Sequence, residues 1–224
     1  MTSGSFIKWP SFAEFHVMSL TRRALLALTV PATFAPGLIG QALSAAPADP
    51  RMAPRAFGNP NARVVVEEWF SFTCPHCARF ELDVFPEVRK KLIDTGRIRY
   101  VFCDFPLDRT ALMATQVARS LPLERYEPFM TSLFSNLDRW AYGENVNPED
   151  QLRKMAGLAG MSPAEFDAAV NDVAFQNAIL AEQTRAEKDY KIDSTPAFRF
   201  NNEVYRQGEL TYDAFEKKVI AAGG

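Results

Sequence analysis

Hydrophobic and polar positions change period several times along the chain, and each change predicts an element. The run Val64-Val65-Val66-Glu67-Glu68-Trp69-Phe70 is β-branched and aromatic, so residues 62–72 read as a buried core strand. From Pro75 the spacing of Ala78-Arg79-Phe80-Glu81-Leu82 turns helical, and a helix is expected as far as Asp94. Pro86 forces a kink or a fresh start near Phe85, and Thr95-Gly96 closes the helix, because glycine takes a left-handed cap cheaply. Residues 97–105 then alternate, Ile98, Tyr100 and Phe102 against Arg99, Val101 and Cys103, as a second strand. A strand, a helix and a strand in this order predict a right-handed crossover and parallel pairing.

Residues 110–190 carry no strand signal. Helices are expected over 110–121, stopping at Pro122, and over 124–140. Asn147-Pro148-Glu149-Asp150 opens another, and Ser162-Pro163-Ala164-Glu165 is a capping box with proline at the first helical position. A last long helix covers 172–190. So many helices cannot all pack on a sheet of this size, and they predict a helical subdomain inserted into an α/β fold. The sheet resumes over 192–200, where Pro196 marks the start of a strand, since its missing N–H would leave a ladder position unpaired. Asn201-Asn202 is a turn signal, residues 203–207 are the antiparallel partner, and Leu210-Thr211 leads into a C-terminal helix through Ala221. The expected division is 62–109 and 191–224 as the two parts of the α/β fold, 110–190 as the helical insertion, and 47–61, rich in Pro, Ala and Gly, as an extended lead-in.

Residues 1–46 stand apart. Thr21-Arg22-Arg23 precedes an uncharged apolar stretch from Ala24 to Ile39, and small residues follow at Ala42-Leu43-Ser44-Ala45-Ala46. A basic region, a short apolar region and a small-residue site are the three parts of an export signal. Pro31 and Pro36 break the stretch, which is too short for a membrane span of about 20 residues. The export route, general secretory or twin-arginine, stays open. Met18 directly before the signal points to a start there rather than at Met1, and cleavage falls between Ser44 and Ala48.

With 47% hydrophobic and 23% charged residues, the 224-residue chain is long enough for one globular core that needs no disulfide staples. A net charge of −2 without a basic patch argues against nucleic acid as a partner. Chemistry therefore rests on the three cysteines, and two of them form Cys74-Pro75-His76-Cys77 at the strand-to-helix turn. Cys74 falls at the N-cap with Pro75 at the first helical position. Free N–H groups and the positive end of the helix dipole there favour the Cys74 thiolate, and in such motifs a cysteine pKa falls to roughly 3.5–7.5. Cys74 is then the nucleophile and Cys77, more buried and without the dipole, the resolving thiol. His76 is placed to add positive charge or a hydrogen bond to the thiolate, which makes the disulfide a stronger oxidant. A structural zinc site would need about four Cys or His ligands, and only Cys103, His16 and His76 remain besides the pair. Cys103, beside Tyr100-Val101-Phe102, reads as a buried structural cysteine. One of Glu67 and Glu68 must face inward by alternation, where burial raises its pKa and lets it move protons for Cys77.

Taken together, Phe70-Ser71-Phe72 before Cys-Pro-His-Cys, then Asp104-Phe105-Pro106-Leu107, an inserted helical block and Ser194-Thr195-Pro196-Ala197-Phe198 resemble the DsbA-like branch of the thioredoxin superfamily over residues 60–221. The resemblance implies a thioredoxin fold, a central mixed sheet flanked by helices, with an all-helical insertion. It implies that Pro196 is a cis proline lying against the disulfide, that the Thr195 backbone pairs with substrate like an extra strand, and that Glu68 rather than Glu67 is the buried acid. It further implies a periplasmic, monomeric oxidant of secreted proteins with free cysteines, reoxidised by a membrane quinone-linked partner, with no metal, flavin or nucleotide cofactor. Two positions depart from the pattern: the Cys103 thiol, and Ser194 where glycine is common. An isomerase or reductase on the same fold is the nearest alternative, although the short lead-in leaves no room for a dimerisation domain. A carrier holding Cu(I) between the two thiolates is a third reading, and the seven scattered methionines do not support it.

Overall fold

The structure, a computed structural model, describes residues 49–224. The export signal expected over residues 1–46, with its start and cleavage positions, lies outside the described residues.

A five-stranded mixed sheet runs in the order β1-β3-β2-β4-β5, with β1 at Arg55–Gly58, β2 at Val64–Phe70, β3 at Ile98–Asp104, β4 at Ala197–Phe200 and β5 at Glu203–Tyr205. Strands β2 and β3 pair in parallel, from Val64 opposite Ile98 to Phe70 opposite Asp104, and every other pairing is antiparallel. Alternation on β3 buries Ile98, Tyr100, Phe102 and Asp104, whereas the central β2 is covered on both faces. Val66 and Phe70 face the main core; Trp69, one register position off, joins Phe105, Ala186, Ile192 and Ala197 in a second cluster under α8 (Val173–Tyr190).

Strand β1 lies within the segment expected as an extended lead-in, where no separate strand was expected. Its four residues lie between prolines, too short for a visible period, and tertiary contacts make them a strand. Phe57 meets Phe102 edge to face at 5.8 Å. The Arg55 guanidinium donates to the Arg119 carbonyl and lies 5.1 Å from the centre of the Tyr126 ring. Gly58 has φ +87°, and a Cβ there would lie 2.4 Å from the Ile98 carbonyl oxygen, so glycine is required where β1 leaves the sheet.

The helix after β2 is not uniform. It starts as α1 (Pro75–Arg79), widens to π turns over Phe80–Val84, resumes as α2 (Phe85–Val88) and widens again over Arg89–Ile93. Pro86 has no N–H for the regular ladder, and the extra residue per turn accommodates that loss. Between β3 and β4 lie α3 (Arg109–Ser120), α4 (Leu123–Ser135), α5 (Leu137–Trp140), α6 (Pro148–Leu158), α7 (Pro163–Val170) and α8, which makes this a thioredoxin fold with a helical insertion; α9 (Tyr212–Ala221) closes the chain. The single helix expected over 124–140 is two, because the Leu133 carbonyl is taken at 2.9 Å by the Trp140 indole N–H and the ladder stops at Asn136. The Ser162–Glu165 capping box is formed. Among the described residues no helix is long and apolar enough to cross a membrane.

One buried ion pair fastens the N-terminal segment to the core. Arg119 on α3 donates to Asp104 at the end of β3 and, at 2.8 Å, to the Arg51 carbonyl. Removing one partner of such a pair leaves an uncompensated buried charge, which typically costs 3–5 kcal/mol. Arg119→Met is therefore expected to lower the unfolding free energy by about 3 kcal/mol, read from urea denaturation, while Lys91→Met in an exposed helix pair should change it by less than about 0.5 kcal/mol. Equal losses in the two variants would contradict this account.

Candidate redox site

Strand β2 ends at Phe70, and Ser71, Phe72 and Thr73 carry the chain over its end to Cys74, the N-cap of α1 (φ −85°, ψ 116°). Side chains fix this turn. Ser71 Oγ accepts from the Leu107 N–H at 3.3 Å, and the Thr73 hydroxyl donates at 2.7 Å to Asp108, which also caps α3. Tyr142, from the loop between α5 and α6, donates its hydroxyl to the Thr73 carbonyl. The insertion thus holds the residue directly before Cys74.

Cys74 Sγ accepts from the Cys77 N–H at 3.4 Å and lies 3.4 Å from the Thr195 carbonyl oxygen, to which its S–H donates. The Thr195–Pro196 peptide is cis, and Pro196 directly precedes β4. The Cys77 side chain lowers the Cys74 pKa most, by hydrogen bonding to its thiolate; burial opposes this, and Thr195 and the N–H groups of Cys77 and His76 add to the lowering, so that it falls from 9.0 to about 5. The Thr195 hydroxyl is buried without a partner and is free to donate to the thiolate. Cys77, 1% exposed, goes the other way: burial, then its hydrogen bond to Cys74 and the Cys74 charge, push its thiol well above the ordinary range. The two sulfurs are thus chemically distinct, one an anion at neutral pH and one a thiol.

Glu67 and Glu68 separate by alternation. Glu67 pairs with Arg199 at the half-exposed face, whereas Glu68 is buried and accepts the Tyr100 hydroxyl at 2.6 Å. Burial raises Glu68 to about 8, against the lowering effect of the Tyr100 bond, so at neutral pH it carries a proton. A second buried acid, Glu81, went unseen in the sequence. It accepts from the Thr131 hydroxyl at 2.9 Å and is also raised well above the carboxylate range by burial first and the nearby Glu68 second. The available signal was its spacing, four residues after Cys77 on one helix face.

His76 is where the structure departs from the expected arrangement. Its imidazole does not turn to Cys74. Nδ1 lies 3.3 Å from a Glu209 carboxylate oxygen and 2.5 Å from Arg79 Nη2, and from residue 76 only the backbone N–H acts on the sulfur. The charged pair Arg79–Glu209 draws the ring outward. Tyr142 and Glu209 lie far from the cysteines in sequence, and no local pattern marked them. Cys103, expected to be buried, is half-buried and lines a cavity of about 270 Å³ with Trp69, Arg119 and Tyr190. Burial and the neighbouring Glu67 keep its thiol protonated. Among the described residues no group of three or more His, Cys, Asp or Glu could hold a metal ion.

Residues 51–220 match the family described as Thioredoxin, and the chain belongs to that family. Within it the similarity runs to disulfide-exchange proteins. The chain is 31% identical over 141 residues to the thiol:disulfide interchange protein DsbA of Pectobacterium carotovorum, across 61% of this chain and 65% of that one. It is 32% identical over 145 residues to a Rickettsia typhi protein, across 64% and 53%. The crystal structure of Wolbachia pipientis alpha-DsbA1 superposes with a TM-score of 0.68 at 26% identity, across 76% and 91%. A Novosphingobium aromaticivorans protein-disulfide isomerase, at 17% identity and TM-score 0.65, shows the same fold. The chain spans little more than half the length of the rickettsial relative.

Because the folded pKa of Cys74 lies below its unfolded value, the thiolate's contribution to stability is complete only above about pH 9 and is lost as the pH falls through about 5. The thiolate absorbance of the reduced protein is expected to titrate with a midpoint near 5, and the urea midpoint of the reduced form to fall toward that of Cys74→Ser over the same range. A single midpoint above 8 would overturn the assignment of the anion.

Proposed function

We propose that this chain is a protein disulfide oxidoreductase that donates a Cys74–Cys77 disulfide to secreted proteins in the periplasm. The observation that carries the reading is the opposite displacement of the two thiol pKa values, Cys74 down to about 5 and Cys77 up. A reduced pair with a stabilised thiolate favours release of the disulfide to a client, which is the property of an oxidant. Similarity to DsbA proteins supports the same reading.

In the oxidised form a client thiolate attacks Cys74 Sγ, breaking the Cys74–Cys77 bond and forming a mixed disulfide with Cys74. The electron pair of the broken bond goes to Cys77 sulfur, which takes a proton, and protonated Glu68 is a source for it. A second client thiolate then attacks the client sulfur of the mixed disulfide, and Cys74 leaves as the thiolate held by the Cys77 N–H. Two electrons have moved from client to enzyme. In this proposal an extended client segment pairs with the Thr195 backbone beside the cis proline; the closeness of the Thr195 carbonyl to Cys74 Sγ, 3.4 Å, supports that reading. Export through the segment at residues 1–46, a monomeric state and reoxidation by a membrane quinone-linked protein complete the proposal.

Cys74→Ser is expected to abolish oxidation of a reduced, unfolded test protein, whereas Cys77→Ser should accumulate a stable mixed disulfide with it; turnover by Cys74→Ser would refute the roles. The pH dependence of the potential gives a separate check. Between about pH 5 and the range near 8 where Glu68 titrates, reduction takes up two electrons and one proton, so the potential should fall by about 30 mV per pH unit, steepening to about 59 mV below pH 5. A slope near 59 mV throughout would mean that Cys74 is no thiolate at neutral pH.

A further inference from the structure

Glu209 has no part in the exchange chemistry, yet it sits against the residue between the two cysteines. It lies in the bend between β5 and α9, and the residues after it are anchored to the core and to α9. Gly208 takes φ +89°, Leu210 is buried in the main core, and the Thr211 hydroxyl caps α9 by accepting from the Ala214 N–H at 3.3 Å. The carboxylate is thereby delivered to the exposed side of α1. Arg79 Nε is 3.2 Å from each of its oxygens, Arg79 Nη2 is 2.9 Å from Oε1, and His76 Nδ1 is 3.3 Å from the same oxygen.

The two groups it engages both stand on α1, the helix that Cys74 caps: His76 two residues after the sulfur and the Arg79 guanidinium one turn further on. Arg79 is the last residue of α1, and its pKa is raised by the Glu209 bond first and, to a lesser degree, by the Cys74 charge. His76 is adjacent to Pro75, with its ring pulled away from the sulfur. The carboxylate accepts from Arg79, whose Nη2 donates in turn to His76 Nδ1, so it offsets the positive potential of the guanidinium at Cys74 while the cluster holds the imidazole off the sulfur. From this geometry we infer that Glu209 is a positioning residue that limits the oxidising power of the Cys74–Cys77 pair by tying His76 and Arg79 away from the thiolate. The inference rests on the disulfide-exchange reading above.

Removing the charge of Glu209 acts in one direction by both routes. The net positive field at Cys74 increases, and the imidazole is released to approach the sulfur; each stabilises the thiolate and hence the reduced pair. The cluster is solvent-exposed, so screening keeps the effect modest.

The experiment equilibrates the purified full chain with glutathione. Oxidised glutathione plus the dithiol gives the disulfide plus two reduced glutathiones, and thiol trapping reads the ratio. For Glu209→Gln the constant for reduction of the protein disulfide should rise about two- to fivefold over the parent, a shift of about 10–20 mV toward oxidising. The Cys74 thiolate midpoint should move to lower pH in the same variant. Glu209→Asp, which keeps the charge, should return most of both shifts. Arg79→Gln should move the constant the other way, because a cation near the thiolate is lost. Thermal unfolding of the oxidised forms should be unaltered, which a merely structural contact would not explain alongside a changed potential. A Glu209→Gln constant within about 1.3-fold of a redox-active parent, or one shifted toward reducing, overturns this inference and leaves the exchange reading standing. A parent that forms no reversible disulfide overturns both.

Discussion

The chemistry of this site depends on one sulfur being placed where a helix begins. Cys74 is both the last extended residue after β2 and the N-cap of α1, so its side chain meets N–H groups that have no partner within the helix. Magnitudes say which of these effects dominates. The displacement of Cys74 from 9.0 to about 5 corresponds to roughly 5 kcal/mol of preference for the anion. A helix dipole supplies about 0.3–1 kcal/mol at an exposed end and up to ~2 kcal/mol in a partly buried one. The direct hydrogen bonds from Cys77 and from the first N–H groups of α1 must therefore carry most of the stabilisation, and the macrodipole is a secondary contribution. The two-residue spacer follows from the same requirement: it sets Cys77 one turn along, where its thiol and its N–H both reach the Cys74 sulfur.

That requirement also explains the polar groups gathered behind the pair. A thiolate placed 95% out of solvent is costly unless its surroundings are oriented, and here they are oriented from three directions. The cis-proline segment leading into β4 delivers the Thr195 hydroxyl, α1 delivers N–H groups, and Asp108 at the start of α3 together with Tyr142 of the helical insertion pins Thr73 just before the sulfur. Only β4 and α1 belong to the sheet-and-helix core. The insertion is in this sense part of the site, since it fixes the backbone of the turn on which the N-cap geometry depends.

Much of the local architecture could be read from the residues because it is local. The capping box at Ser162, the N-caps at Asn147 and Thr211, the break near Phe85 and the alternation of β3 each depend on side chains within a few positions of each other. So does the placement of Cys74 and Pro75. Strand β1 was illegible for the opposite reason: nothing within residues 55–58 specifies a strand, and pairing with β3 more than forty residues later makes it one. The outward turn of His76 belongs to the same kind. From sequence the ring has only Cys74 for a neighbour, whereas in the fold Glu209 arrives from across the chain and, with Arg79, meets the ring on the exposed side of α1. Glu68 lay between: alternation required that one of two adjacent acids face inward, and the register opposite Phe102 and Phe198 decides which.

The buried acids bring the argument back to proton accounting. A site that keeps one sulfur as an anion and the other as a thiol must move a single proton each time the disulfide opens or closes, and Cys77 is sealed from bulk water. Glu68 near a pKa of 8 is suited to supply it, because an ordinary carboxylate would hold no proton at neutral pH and a fully suppressed one would not release it. The cost of burying that acid is tolerated only because it stays protonated, and it stays protonated partly because Cys74 is negative: the Cys74 charge raises Glu68 and also raises Cys77. Thiolate, thiol and acid are therefore one coupled system, whose proton distribution is set by the anion at the start of α1. Loss of that anion on oxidation relaxes the repulsion holding the proton on Glu68, so closing the disulfide makes the acid easier to ionise and opening it draws the proton back.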